Sequence, residues 1–120
     1  MCKRGDVVLV NYPFVTAAGI QQKLRPALVI SDHSKPRRYP DDVVLAAITS
    51  QHMSDILPNE VRLAASDPGF AMTGLKVPSV LRLDFLMTVP RSIIRKVIGH
   101  LSPQLMAAAD KSLKRSLGLP

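Results

Sequence analysis

The sequence predicts a mainly β domain: a small barrel with one C-terminal α-helix packed on it. Apolar runs of strand length recur along the chain, separated by segments rich in proline, glycine and charge. One of them, Val80 to Thr88, alternates with the period of two that a strand imposes. Helical spacing is confined to the C-terminal segment, where Leu105, Ala109, Leu113 and Leu117 recur at i+4. Several short strands followed by one helix pack most simply as a compact β-barrel with the helix laid against it.

The elements follow in order. Asp6 to Tyr12 (DVVLVNY) is apolar on both faces, as a central strand is, and Pro13 is read as its end. Phe14 to Leu24 is small, polar and glycine-containing, the composition of a hairpin loop. Ala27 to Ser31 is the second strand. Pro26 suits its first position, because proline brings no N–H to a ladder and fixes its own φ. Asp32 to Asp42 is dense in proline and charge and reads as an exposed loop. Val43 to Thr49 is a third strand, Ser50 to Ile56 a polar loop, and Leu57 to Ala64 an edge strand limited by Pro58. Ala65 to Gly74 is a turn-rich connector.

In Val80 to Thr88, Leu81, Leu83, Phe85 and Met87 fall on one face. Arg82, Asp84 and Thr88 fall on the other, with Val80 and Leu86. Pro90 ends this strand, Arg91 to Lys96 reads as a short helical turn, and Val97 to Leu101 as a last strand. The helix opens with Ser102 as N-cap and Pro103 at its first position. Lys111, Lys114 and Arg115 complement the dipole in its later turns, and Gly118 is a suitable residue past its end.

The 120 residues suit one domain, spanning 1–120. A hydrophobic share of 47% argues against disorder. Aromatics are few and tryptophan is absent, so the core is expected to be Val, Leu and Ile, with Phe85 and Tyr12 in it. Sixteen basic against nine acidic residues give a formal charge of +7. That favours a polyanionic or acidic partner and says nothing of fold. Cys2 is the one cysteine, which forbids an intrachain disulfide and fits a reducing cytoplasm. The N-terminal segment has no long apolar region, so no signal peptide is expected. No run approaches the ~18 apolar residues of a membrane span.

Neither a P-loop nor a dinucleotide fingerprint nor a G-x-S-x-G elbow is present. His33, His52 and His100 are far apart and, with Cys2, make no zinc spacing; they read as surface or satisfied histidines. No carboxylate cluster of the two-metal type is present either, so neither a metal nor another cofactor is expected. What remains is a cation and hydroxyls at strand ends: Arg25 at the mouth of the second strand, Thr49 and Ser50 at the end of the third. Such groups suit a phosphate site, and they equally suit a solvated flank and a turn.

In chain order, RGDVVLVNYPF, LRPALVISD, VVLAAITSQ, TGLKVPSVLRLDFLMTVPRS and VIGHLSPQLMAAADKSLKRSLGL resemble the MazF/PemK toxin family, from Arg4 to Leu119. The resemblance implies an SH3-like small β-barrel of the CcdB/PemK kind with a C-terminal helix, assembled as a homodimer. It implies a cytoplasmic toxin of a type II toxin–antitoxin system that cleaves single-stranded RNA sequence-selectively and without a metal. The cognate antitoxin would lay a flexible acidic C-terminal segment in the RNA groove, and operator DNA would be bound only with antitoxin. No membrane role is implied. The alternative on the same fold is a non-enzymatic, CcdB-like toxin that binds and poisons DNA gyrase.

Carried over by residue, the resemblance makes Arg25 and Thr49 a catalytic pair and adds Arg82 and Asp84, the R-x-D of the PemK branch. Where PemK-type members tend to carry a histidine in the first loop, this chain has Ile20. Attack by a 2′-OH needs a base, an acid and donors for the phosphorane charge. Arginine is an excellent phosphate donor and a poor base. Arg25 is therefore expected to stabilise the transition state, with proton transfer as a further role, and Thr49 to position a phosphate oxygen. Arg82 would add a second cation, with Asp84 orienting it or acting as the base. For RNA binding the candidates are Ser50, Lys23, Lys76 and Phe70, the last as a stacking face, with Lys35, Arg37 and Arg38 as backbone contacts.

Overall fold

The computed structural model describes residues 2–16 and 19–120, with backbone alone for residues 12–16 and 20–22. Expectations placed on the side chains of Tyr12 and Ile20 lie outside what it describes. Six strands form one antiparallel sheet: β1 (Asp6–Thr16), β2 (Gly19–Val29), β3 (Asp42–Thr49), β4 (Glu60–Leu63), β5 (Ser79–Pro90) and β6 (Ile94–His100). The helix α1 (Pro103–Leu117) follows, and short 3-10 turns occupy Ala71–Thr73 and Arg91–Ile93. Neighbours run β4-β5-β3-β2-β1-β6, and among the described residues β4 and β6 do not pair. The mainly β prediction with a C-terminal helix holds. The sheet is open rather than a closed barrel.

Both faces of the sheet bury apolar residues, and strand alternation sorts them. Val7, Leu28, Ala46 and Ile48 face one cluster together with Leu81, Leu83, and Leu105 and Ala109 of α1. Their sequence neighbours Val8, Ala27, Val29, Val43 and Leu45 face the other, with Cys2 and Val89. This is why Val7, Val8 and Val10 of the VVLV run are all apolar: each has a core to enter, while Leu9 is half-buried. Cys2 is buried there as a free thiol.

Prolines are the main source of error in the strand bounds. β1 runs on through Pro13 to Thr16, and β2 begins at Gly19, so most of the expected loop from Phe14 to Leu24 is the far half of a long hairpin. Pro26 is well inside β2, not at its start. Both prolines are tolerated for one reason. β2 pairs with β3 only from Ala27 onward, and β1 pairs with β6 only from Asp6 to Val10. Beyond those points each strand has a single neighbour, so a proline has a side on which no N–H is needed. At the other end, the expected helical turn over Arg91–Lys96 is only Arg91–Ile93, and Ile94 already starts β6.

Helix α1 matches its predicted bounds. Ser102 Oγ accepts from Leu105 N at 3.2 Å, and Gly118 closes the helix at φ 70°. Leu105 and Ala109 are buried, but Leu117 is exposed, and Ser112 and Ser116 take the inner face. An i+4 series drifts about 40° per step on a 3.6-residue turn, so its last member has left the packed side. Ser116 Oγ instead donates to Leu83 O at 2.8 Å, and Arg115 Nη1 to Pro58 O at 2.8 Å. Arg4 ties the N-terminal segment to the same helix, donating to Ile30 O at 2.8 Å and pairing with Asp110. Among the described residues no helix is long and apolar enough to cross a membrane.

The turn Ala71–Thr73 lies directly on β6. Gly74, at φ 73°, abuts Ile98, and a Cβ on Gly99 would fall inside the van der Waals radius of Met72 O. Gly99→Ala is therefore expected to cost about 1–3 kcal/mol. The check is a lower urea midpoint at unchanged m-value.

Candidate functional site

β2 and β3 bring Arg25 and Thr49 together. Their last paired residues are Ala27 and Ala47, and Arg25 and Thr49 stand two residues further on, at opposing register positions. The two side chains stand between two surface depressions and line both, with Ile48. The first depression, of about 450 Å³, adds His52, Asp55, Glu60, Arg82 and Phe85. The second, of about 600 Å³, adds Ser50, Lys76 and Lys96 on walls of Leu9, Leu24, Val77, Val97 and Ile98.

Arg82 reaches the first depression because β5 breaks step with β3. Ala46 pairs with Leu86, yet Ala47 pairs with Arg82, leaving Leu83, Asp84 and Phe85 with no partner on β3. Arg82 is also the cross-strand partner of Glu60 on β4. Its Nε lies 3.5 Å from Glu60 Oε2 and its Nη2 3.4 Å from Asp84 Oδ2, and the guanidinium sits 5.4 Å from the centre of the Phe85 ring. The guanidinium is thus held by two carboxylates and an aromatic face. Glu60 is itself fixed, its Oε1 accepting from Leu57 N at 2.9 Å.

The same break corrects the face assignment of β5. Leu81 and Leu83 are buried as expected, but Phe85 is 42% exposed and lines the first depression. Of the aromatic side chains described, Phe85 is the one at the site. Phe70 is half-buried before the 3-10 turn at Ala71 and lines neither depression, and Lys23 is exposed on β2 and lines neither. Ser50 and Lys76 line the second depression, while Asp84 stands at the rim of the first through Arg82.

Sequence reasoning misses Glu60, His52, Asp55 and Lys96. Glu60 has a signal, since LPNEVRL reads as a strand lying at an edge, and that strand pairs with β5. His52 and Asp55 sit in a loop whose path no period reveals. The other two histidines lie away from the depressions at Arg25. His33 accompanies Arg37 and Arg91, where burial, then those two cations, hold its imidazole below the usual range. Lys35 and Arg37 line that same remote hollow rather than the site.

The two depressions differ in charge. In the first, Asp55 and Glu60 stand among the lining residues with Arg25 and Arg82. In the second, Arg25, Lys76 and Lys96 share a lining that contains no acid among the described residues. The second depression thus has a uniformly cationic lining, while the first mixes both signs of charge.

Fold and site together define a small antiparallel β-domain with a cationic groove running past an Arg–Thr pair. The family model for PemK-like, MazF-like toxins of type II toxin–antitoxin systems matches residues 3–117. Endoribonuclease EndoA of Bacillus subtilis (strain 168) is 33% identical over 117 residues, 98% of this chain and 95% of that protein. Among solved structures, an endoribonuclease in complex with its cognate antitoxin, from Mycobacterial species, superposes with a TM-score of 0.75 at 22% identity, covering 100% of this chain and 98% of that one. A MazE–MazF structure from Deinococcus radiodurans (Form-II) gives 0.68 at 23% identity, covering 99% and 97%. At these identities the superpositions establish a shared fold. The chain belongs to the PemK-like, MazF-like toxin family of type II toxin–antitoxin systems.

The exposure of Phe85 has a measurable consequence. A buried phenylalanine costs about 3–5 kcal/mol on truncation to alanine. Phe85→Ala is expected to cost less than about 1 kcal/mol in urea unfolding, while lowering affinity for single-stranded RNA in a direct binding titration.

Proposed function

We propose that this toxin is an endoribonuclease that cuts single-stranded RNA sequence-selectively, through attack of a 2′-OH on the adjacent phosphate, leaving 2′,3′-cyclic phosphate and 5′-OH ends. The observation that carries the reading is the convergence of Arg25, Thr49 and Arg82 on one depression beside an acid-free cationic one. The relative named as an endoribonuclease, which aligns over 98% of the chain, supports it.

In this reading the RNA backbone lies in the second depression against Lys76, Lys96 and Ser50, and the scissile phosphate sits at the Arg25–Thr49 saddle. Arg25 offers its fork of N–H donors to the phosphate as charge builds in the transition state. Thr49 Oγ1 already accepts from Gln51 N at 3.1 Å, which leaves its own proton to donate to a phosphate oxygen. Arg82, preset by Glu60 and Asp84, adds positive potential without needing to reorganise. Phe85 offers a face on which a base next to the cut can stack. Among the described residues, no three His, Cys, Asp or Glu side chains gather as a metal site requires, and the reading assigns the chemistry to the side chains named.

The partner assignments belong to the same proposal. The acid-free depression suits an acidic antitoxin segment as well as RNA, so the antitoxin neutralises by occupying the groove. The active toxin is a cytoplasmic homodimer, and operator DNA is bound only in complex with antitoxin. The gyrase-poison alternative is not favoured: a toxin acting by binding alone has no use for an Arg–Thr pair set at a groove.

Arg25→Ala is expected to abolish cutting of a long, defined single-stranded RNA in EDTA, while the variant folds and still binds antitoxin. Wild type is expected to cut at few sites and leave cyclic-phosphate ends. Normal cutting by Arg25→Ala, read on a sequencing gel, would remove Arg25 from the site.

A further inference from the structure

Cleavage by a 2′-OH needs two proton transfers, and the strand-borne groups at the site are poorly suited to either. Guanidinium groups do not deprotonate in proteins, which sets Arg25 and Arg82 aside. Glu60 is nearly buried, with one oxygen bonded to Leu57 N and the other facing Arg82. Asp84 also faces Arg82. An imidazole is the side chain whose ordinary titration lies near neutrality, and one histidine lines the depression shared with Arg25 and Thr49.

That histidine is His52. Its side chain is 70% exposed, and its backbone, at φ 61°, is the one non-glycine residue in the left-handed region among those described. Residues held in that region cluster at functional sites. The turn is fixed from three directions. Gln51 N donates to Thr49 Oγ1, Asp55 N to His52 O at 3.3 Å, and Arg62 Nη2 to Met53 O at 3.3 Å. Asp55 Oδ1 lies 3.5 Å from His52 Nδ1, which puts the carboxylate on the Nδ1 side of the ring and leaves Nε2 away from it. Besides Asp55, the charged groups around this ring are Arg25, Arg82 and Glu60 on the depression and Arg62 behind the turn.

We propose that His52, oriented by Asp55, is a proton-transfer residue of this toxin. The proposal rests on the ribonuclease reading. In the step, the 2′ O–H bond breaks as the O2′–P bond forms, the P–O5′ bond breaks, and the 5′ oxygen gains a proton. His52 Nε2 either takes the first proton or gives the second, and solvent water carries the other. No oxidant or further reactant enters.

The test compares wild type, His52→Gln and His52→Ala, with folding checked by thermal unfolding, on a short RNA holding one mapped cut site between about pH 5 and 9. The variants are expected to lose about 10²–10⁴-fold in single-turnover rate, together with one limb of the wild-type pH profile. A substrate with sulfur in place of the 5′ bridging oxygen then assigns the direction, because a thiolate leaves without a proton. Recovery of the variants to near the wild-type rate makes His52 the acid; a persisting deficit makes it the base; both uphold the proposal. A limb that survives in His52→Gln, or a wild-type profile with no such limb, overturns it while leaving the ribonuclease reading in place. Absence of cutting by wild type overturns both.

Discussion

The break in register between β3 and β5 is the constraint around which the site is arranged. A regular ladder would continue from Ala46↔Leu86 to a pairing of Ala47 with Phe85; instead Ala47 faces Arg82, and residues 83–85 are passed over. Three consequences follow from one local irregularity. Arg82 is carried to the end of the sheet where Thr49 sits, across from Glu60 on β4. Leu83 still enters the core under α1, with its carbonyl held by Ser116. Phe85 is turned out to stand against the Arg82 guanidinium. β-Bulges recur beside active sites because they re-aim side chains that a period of two would send elsewhere. Here the re-aimed groups are Arg82 and Phe85, and both line the first depression.

The long β1–β2 hairpin supplies the other half of the groove. Its far part projects past β3 and β6, so its strands carry polar and cationic residues and two prolines where a central strand would carry none. Arg25 falls at the boundary, two residues past the last pair with β3. A side chain there is anchored by a strand and lines both depressions, the placement that the proposed role at a phosphate calls for. Beneath it, the alternating apolar residues of β1, β2 and β3 fill cores on both faces of the sheet, so the base that presents Arg25 and Thr49 is rigid.

Most of the fold is legible in the sequence because burial leaves a clear trace there. Apolar residues on both faces mark β1 and β3 as central, and Ser102, Pro103 and Gly118 set both ends of α1. Pro13 and Pro26 mislead because proline excludes a residue from a two-sided ladder and not from a one-sided one, and sidedness depends on partners distant in the chain. Phe85 misleads for a related reason: alternation holds only while the ladder stays regular, and the partner strand decides that. Arg25, Thr49, Arg82 and Asp84 are readable from motifs and come together in space, whereas Lys23 and Phe70, chosen for residue type and loop position, do not reach the depressions. Glu60, His52 and Asp55 need the path of the β3–β4 loop, which composition does not determine.

Strand-borne cations and a loop-borne histidine are suited to different tasks. Charge stabilisation works best from groups that do not move, and Arg25 and Arg82 sit on or beside paired strands. The proposed proton transfer falls instead to an exposed ring on a turn, where solvent reaches it. The turn at His52 carries a backbone cost of about 1 kcal/mol or more, because a glycine would adopt φ 61° without strain and a histidine does not. That cost is offset by the bond from Asp55 N to His52 O and, one residue earlier, by the bond from Gln51 N to Thr49 Oγ1. The turn that carries His52 is thereby joined to the hydroxyl that lines both depressions, which ties the position of the imidazole to that of Thr49.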